Sequence, residues 1–482
     1  VMNESTRVTR TLAEVAEDHA LVSVPLSERE SGYKLAMSPV GVATALVIFA
    51  IAGFAVMLAG FWLGLAAGII VAIVGITLGL LLGNIARVTG VSSTVTSRFF
   101  GFGFKGSSLG AIVFVFMILG FLALERALLY EGTILMFNLE DTWSMRIIIY
   151  GILTLLWIGL AIFGLNIALK TSTILTVVTL LVTVYIIVEI YIIRGVSPAT
   201  VLNFEGIVPG GSWPKLEAAI GLIGATAGTI TLVTTDFARY CRDKKDVTIL
   251  ALSGPLMQNV IMTVLGAFVI AGGIPEVAEY LMQRNAGLSP KEAVAAAGGF
   301  AMGNTGAFFV VFAGWIGFIT IYAAQAKAQA INAYSGSLAL VNLVDTLFGK
   351  KPGRAVMVIV GNIIALLMIA GGILEQFTMW LAYLGCMTMA LCGVMISDYY
   401  IVRRGKFTRS THRVENWNWA GIITLVSTAL LGIILIVTET FPLGFFVTLL
   451  LSIFLYPLLR KILPEGTNTS FISEEKALDA EG

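Results

Sequence analysis

An all-α integral membrane protein with twelve transmembrane helices is the fold class this sequence predicts, and three observations predict it. Of its 482 residues, 57% are hydrophobic and 12% charged, with a mean hydropathy of +0.93, whereas about a quarter of the residues in a soluble domain are charged. Apolar runs of about 20 residues cross a bilayer as helices, and twelve such runs can be laid along the chain. Lys and Arg then alternate between the two sides of those runs, as they do when they accumulate on the cytoplasmic face.

In order, the runs cover residues 40–62, 64–86, 109–130, 147–169, 173–193, 216–235, 248–272, 306–334, 355–373, 377–399, 418–438 and 443–463. The first two form one apolar block, divided because a single helix of that length would overshoot the membrane about twofold. With both termini cytoplasmic, 23 of the 30 Lys and Arg residues fall in cytoplasmic segments. Five are external (Arg146, Arg194, Lys215, Arg284 and Lys291), and Arg126 and Lys327 lie inside helices. Miscounting one helix midway would scramble this split.

Run 1 reads "AIAGFAVMLAGF" with Gly53 and Gly60, and run 6 reads "GLIGATAGTITLVTTD" with Gly221, Gly224 and Gly228 among threonines. Glycine weakens a helix by about 1 kcal/mol relative to alanine, and small residues also let helices approach closely. Two readings stay open: close packing, or the paired broken helices of a transporter with inverted five-helix repeats. Run 3 carries "GFLALERALLYEG", with Glu125 near its centre and Arg126 about 100° further round. One of the two faces a cavity and the other a neighbouring helix. Run 8 carries "IYAAQAKAQAINAYSGS", with Gln325 and Gln329 on one face and Lys327 well round from both. A charge at mid-bilayer costs several kcal/mol unless it meets a partner, protein interior or water. An ion pair of Glu125 with Lys327 or Arg126 could fix the bundle, although an apolar pair would pack as well at lower cost. Glu189, near the end of run 5, reads as snorkelling. Between runs 7 and 8, residues 274–304 hold two amphipathic patterns separated by Gly287, the second opened by Pro290 and Lys291. They form either a moving cap or a static surface loop.

Several functions are excluded. Cys241, Cys386 and Cys392 make no ligand spacing or disulfide framework. His19 and His412, the only histidines, lie in polar segments, so no intramembrane histidine metal site is expected. No HExxH, P-loop or GxSxG in a suitable context points to hydrolysis or ATP use. The first 38 residues are polar and lack the parts of a removable signal peptide. Neither a cofactor, a bound metal, an enzymatic activity nor a nucleic-acid partner is expected.

Five segments, in order, resemble the nucleobase-cation symporters and among them the purine-cytosine permeases: "VPLSERESG" (Val24 to Gly32), "TGVSSTVTSRFFGFGFKGS" (Thr89 to Ser107), "TTDFARYCRDKKD" (Thr234 to Asp246), "NAYSGSLALVNL" (Asn332 to Leu343) and "ISDYYIVRRGKF" (Ile396 to Phe407). The resemblance implies a LeuT-type five-plus-five inverted repeat plus two C-terminal helices. A cytoplasmic tail 1–38 would precede a first repeat 39–194 and a second 195–400 with external loop 274–304, followed by helices 11 and 12 in 414–463 and a cytoplasmic tail 464–482. A planar heterocycle would bind between helices 1, 3, 6 and 8 of a monomer or loose oligomer in the plasma (inner) membrane.

The resemblance also assigns residues. Phe121 takes the place of a stacking aromatic, and Glu125 stands where some members use glutamine. The second stacking position falls on Ala227, with Ala225 and Thr229 beside it, so half the aromatic sandwich is missing. The substrate-binding amide falls on Gln329. The sodium site of the family falls on helix 1 near Gly53 and on Ala324, Lys327 and Ala328; two alanines lack side-chain oxygens, and an ammonium would occupy the ion's place. Hard cations prefer oxygen ligands. Nucleobase import by proton symport is therefore expected, with Glu125 or Lys327 carrying the proton. Uncoupled facilitation, sodium symport and transport of a cationic amine or guanidinium solute with Glu125 as counter-ion remain alternatives. A receptor would need larger soluble domains than the tails allow, and a channel would need a pore-loop or charge-ring motif.

Overall fold

A computed structural model describes residues 23–163, 165–350, 352–408, 412–463, 465 and 469–471. The tail to residue 22 with Arg7, Arg10 and His19, as well as Lys351, Arg409 and Lys476, lies outside the described residues, as do the side chains of residues 165–170, among them Lys170. The described chain is helical almost throughout: α1 (Gly32–Ala43), α2 (Leu46–Ala59), α3 (Phe61–Thr89), α4 (Ser93–Phe99), α5 (Ser107–Phe137), α6 (Trp143–Phe163), α7 (Leu165–Val188), α8 (Ser212–Ile223), α9 (Ala225–Ala238), α10 (Lys244–Leu256, running on through π-helical turns to Arg284), α11 (Pro290–Gly303), α12 (Gly306–Phe348), α13 (Arg354–Ala370), α14 (Phe377–Ile396), α15 (Trp419–Val437) and α16 (Gly444–Ile462).

Among the described residues, ten helices are long and apolar enough to cross a membrane, and the bent pair α1–α2 makes eleven. The remaining expected span coincides with α13, whose 17 residues fall short of the ~20 that cover a hydrocarbon core. The helices are sorted by environment. In α5 and α14, 78% and 83% of the most apolar window is buried, against 28% in α6 and in the span that α7 contributes. Helices apolar on all sides belong in an interior or a membrane, so α5 and α14 are central and α6 and α7 peripheral. The most extensive helix–helix interface joins α5 to α12, and α9 lies along α3.

Two of the expected breaks differ from their sequence positions. The first span bends by 66° between α1 and α2, at Thr44 and Ala45, whose ψ of 153° is extended. Gly53 stands inside regular α2, because a Cβ there would come within 2.2 Å of Ile270 Cδ1; it permits close approach to α10 and does not unwind the helix. In the sixth span, helical bonding is interrupted only at Gly224, whose φ and ψ of −61° and −33° stay helical. A Cβ on Gly224 would sit 2.1 Å from Phe445 Cζ, so packing explains this glycine too. A further kink was not expected: Gly314, with φ 51° and ψ −127°, bends α12 near its start, in a conformation that glycine alone adopts at little cost.

The 274–304 segment folds as anticipated into two helical pieces, the end of the α10 span and α11. A capping box at Ser289 and Glu292 starts α11 with Pro290 in its first turn.

Candidate functional site

The bend between α1 and α2 leaves backbone that no longer forms a regular ladder, which a membrane protein tolerates only where other protein groups cover it. A lysine covers it. Lys327, on α12 and completely buried, donates from Nζ to Thr44 Oγ1 at 2.6 Å and to Thr176 Oγ1 at 2.7 Å. Thr44 Oγ1 in turn donates to Gly41 O at 3.0 Å. An ammonium has three donors, and the described residues engage two of them. Ala324 and Ala328 flank Lys327 and add no oxygen.

Glu125 occupies the middle of α5, and its side of the helix meets α12. Its Oε2 accepts from Gln329 Nε2 at 3.3 Å and from Asn332 Nδ2 at 3.2 Å. Gln329 Nε2 also donates to Leu122 O, leaving Gln329 Oε1 buried without a partner. Glu125 Oε1 accepts no hydrogen bond among the described residues. Neither Arg126 nor Lys327 pairs with Glu125 within the 4.0 Å that defines an ion pair. Arg126 points away from it, donating to Thr154 Oγ1 at 2.8 Å and Asn362 Oδ1 at 2.5 Å on α6 and α13. The helical offset of one residue thus separates the two charges onto different faces, as the sequence implied.

Glu125 opens onto a small cavity of about 20 Å³ lined by Phe121, Thr229, Gln258 and Asn332 together with aliphatic side chains of α1, α2, α5 and α9. That is room for about one water, so a heterocycle enters only if these helices move apart. Phe121, Glu125 and Thr229 of the expected site are brought together here. Ala227 is fully buried off the cavity lining, and Ala225 packs on Gly385 of α14, where an added Cβ would meet Ala225 Cβ at 2.7 Å. Gln329 stands behind Glu125 as its hydrogen-bond donor.

Three residues escaped the sequence reading. Asn332 lies one turn beyond Gln329, and its spacing could have shown it. Gln258 lies in a π-helical turn, Met257–Ile261, just after Pro255, which lacks an N–H to continue the ladder; π turns of this kind recur at functional sites. The intramembrane amides Gln258-Asn259 were the available signal. Trp380 on α14 meets Phe121 edge to face, with ring centroids 5.1 Å apart, and its Nε1 is buried without a partner. Nothing in the sequence ties α14 to Phe121.

A larger cavity of about 430 Å³ lies toward the end of the bundle that holds the start of α1, with Ser92, Asp236, Arg239, Tyr334 and the exposed Lys34 in its wall. Just beyond the bend, Phe49 of α2 packs edge to face on Phe309 of α12 at 5.5 Å, and the neighbouring void at Thr44 and Thr320 is only about 10 Å³. Among the described residues, no group of three or more His, Cys, Asp or Glu could hold a metal ion.

Residues 23–455 match the family described as permeases for cytosine/purines, uracil, thiamine and allantoin. The chain belongs to this family. Its members are transporters, and this permease is a multi-pass membrane protein of the same kind. No curated protein matches its sequence. Among solved structures, the permease is similar to Mhp1 in an inward-facing conformation, with a TM-score of 0.69 and 18% identity over 95% of this chain and 96% of that one. It is also similar to Mhp1, a nucleobase-cation-symport-1 family transporter, in a closed conformation with bromovinylhydantoin bound (TM-score 0.65, 19% identity, 96% and 98% covered). A third likeness is to a Na+-coupled sialic acid symporter in a substrate-bound outward-open state (TM-score 0.63, 13% identity, 95% and 94% covered). The permease therefore has the LeuT-type transporter fold expected from its sequence.

Proposed function

We propose that this permease imports a nucleobase, or a related N-heterocycle, by proton symport, with the Lys327 ammonium standing where relatives would hold sodium. The observation that carries the proposal is the buried Lys327 bonded to Thr44 and Thr176 at the bend of the first span. A sodium ion there would need oxygen ligands, and the donor set argues against one: an ammonium fills the gap, and Ala324 and Ala328 offer no side-chain oxygen. Because the ammonium holds the hydroxyl of Thr44 at the bend and that of Thr176 on α7, its charge state and the geometry of α1 against α2 are coupled. Loss of the proton to the cytoplasm leaves a neutral amine whose two remaining N–H donors bond less strongly than a charged ammonium, which loosens the hold on Thr44 and Thr176, and reprotonation from outside restores it.

In this reading Glu125 recognises the substrate. Gln329 and Asn332 hold Oε2, leaving Oε1 to accept an N–H of the base, while Phe121 offers a ring face and Asn332 and Gln258 offer amides along the edge. Trp380 supports Phe121 and partly replaces the aromatic that Ala227 cannot supply. With the termini in the cytoplasm, as the charge distribution favours, the 430 Å³ cavity is the inner vestibule and the Phe49–Phe309 contact closes the outer side. The substrate cavity then communicates with the cytoplasm of a cell whose plasma membrane holds the permease.

The test is uptake into proteoliposomes of labelled cytosine, adenine, guanine, uracil and allantoin under an inward proton gradient or an inward sodium gradient. Accumulation of one base driven by protons alone is the expected result. Accumulation driven by sodium alone would refute the role given to Lys327.

A further inference from the structure

A second large cavity, about 490 Å³, shares no residue with the central one. The end of α5, the start of α6 and the segment after α13 enclose it, at the end of the helices that the charge distribution makes external. Its volume is within the range of ordinary small-molecule sites.

The charges around it do not balance. Arg146 binds Asp141 through both oxygens, from Nε at 2.7 Å and Nη2 at 2.5 Å, and Tyr130 Oη donates to the same carboxylate at 2.6 Å. These hydrogen bonds, that from Arg146 foremost, hold Asp141 down at about 2, so the pair stays ionised and neutral overall throughout the physiological range. Glu131 and Glu375 also line the cavity. Neither side chain forms a hydrogen bond or an ion pair among the described residues, so two carboxylates are left facing the same space. The rest of the wall is apolar, aliphatic from α13 and the segment after it and aromatic on the α5 and α6 side: Tyr130 and Tyr150 stack with centroids 4.6 Å apart and 16° between planes, and Trp143 stands 75% exposed beside them. Glu131 is half-buried in the wall and Glu375 exposed at its edge, so a cation in the cavity would meet two acceptors that no protein cation occupies, and aromatic faces attract cations, organic ammonium ions above all.

We propose that this outer cavity is a second binding site, for a soluble organic ammonium ion with an aromatic or aliphatic body. The ammonium lies between Glu131 and Glu375, and its apolar part rests on Tyr150 and Trp143. The site is independent of the substrate cavity: it lies on the other face of α5, and it binds whether or not Lys327 couples transport to protons.

Equilibrium binding of labelled benzyltrimethylammonium to the purified full-length permease tests this. The parent should bind saturably, with about one site per chain, and the neutral isostere neopentylbenzene should not compete. Combined Glu131→Gln and Glu375→Gln should weaken binding at least tenfold, which corresponds to ~1.4 kcal/mol. Gly151→Phe supplies an uncharged control. Gly151 lines the cavity, and a Cβ built on it meets no atom within 4 Å, so a phenylalanine can fill the space without disturbing the carboxylates; binding should be lost while the melting temperature stays at that of the parent. Equal competition by neopentylbenzene would overturn the proposal. Parent-like binding by a folded Gly151→Phe protein would overturn it as well.

Discussion

Glu125 has one oxygen engaged by two amides and the other without a protein donor, which makes it the most exacting residue to alter. In Glu125→Gln the shape survives and the amide oxygen can accept from Gln329 and Asn332 in the place of Oε2, but an NH2 donor then replaces the charged acceptor at Oε1. Hydrogen bonds to charged groups contribute about 1.5–3 kcal/mol, so the apparent KM for the transported base should rise roughly tenfold to a hundredfold; an unchanged KM would make Glu125 purely structural. Trp380, 5% exposed, is a packing residue with a functional neighbour. Trp380→Ala should cost ~3–5 kcal/mol as a buried aromatic truncation, read as a lower melting temperature, and should raise KM by releasing Phe121. Trp380→Phe, which keeps a ring against Phe121, should restore most of both; a Trp380→Ala protein with the parent's KM would disconnect α14 from recognition. His412, outside the membrane-spanning helices, sits among Phe99, Phe100 and Phe407 with Nε2 at 2.9 Å from Phe99 O. Burial first, then Arg403, lowers its pKa. A histidine kept neutral in the fold stabilises it fully above the unfolded value near 6.5 and progressively less as pH falls below that. Melting temperature should therefore drop from pH 7 to pH 5, and His412→Gln should flatten the drop; an unchanged slope in the variant would assign the pH effect to other groups.

At the level of helices, close approach and interruption have separate causes, and only one was legible. Apolar run lengths located the spans because a bilayer imposes a length on any helix that crosses it. The helix start at Pro290 was equally local and equally visible. The bend at Thr44 was not, since Thr44 and Ala45 are not themselves helix breakers, and Lys327 and Thr176, which meet there, are distant in sequence. Gly53 and Gly224 suggested breaks, yet their small size serves neighbouring helices. The α2–α10 contact gives a direct test. Gly53→Ala places a methyl against Ile270 Cδ1 and should cost ~1–3 kcal/mol of overpacking, seen as a lower melting temperature. Adding Ile270→Ala should recover most of that loss, because the two changes share one volume and cannot be additive; simple additivity would show that Gly53 matters for another reason.

For the whole molecule, the alternation of Lys and Arg read from the sequence and the LeuT-type fold describe the same object, a bundle with α5 and α14 inside and α6 and α7 toward lipid. Glu125 and Lys327 were legible because charge is rare and costly in a membrane. Gln258 and Asn332 show in the sequence only as amides within apolar runs, and Trp380 gains its place only when α5 and α14 are brought together. What unites the parts in the proposed function is a lysine at the bend of the first span that gains and loses a proton in the place of a coupling ion. The measurement that tests it most directly compares Lys327→Ala with the parent in proteoliposomes, reading both accumulation of the transported base under an inward proton gradient and its exchange at equal concentrations on both sides. The account predicts that the variant loses proton-driven accumulation while still exchanging substrate. Accumulation by Lys327→Ala equal to that of the parent, under the same proton gradient, would contradict it.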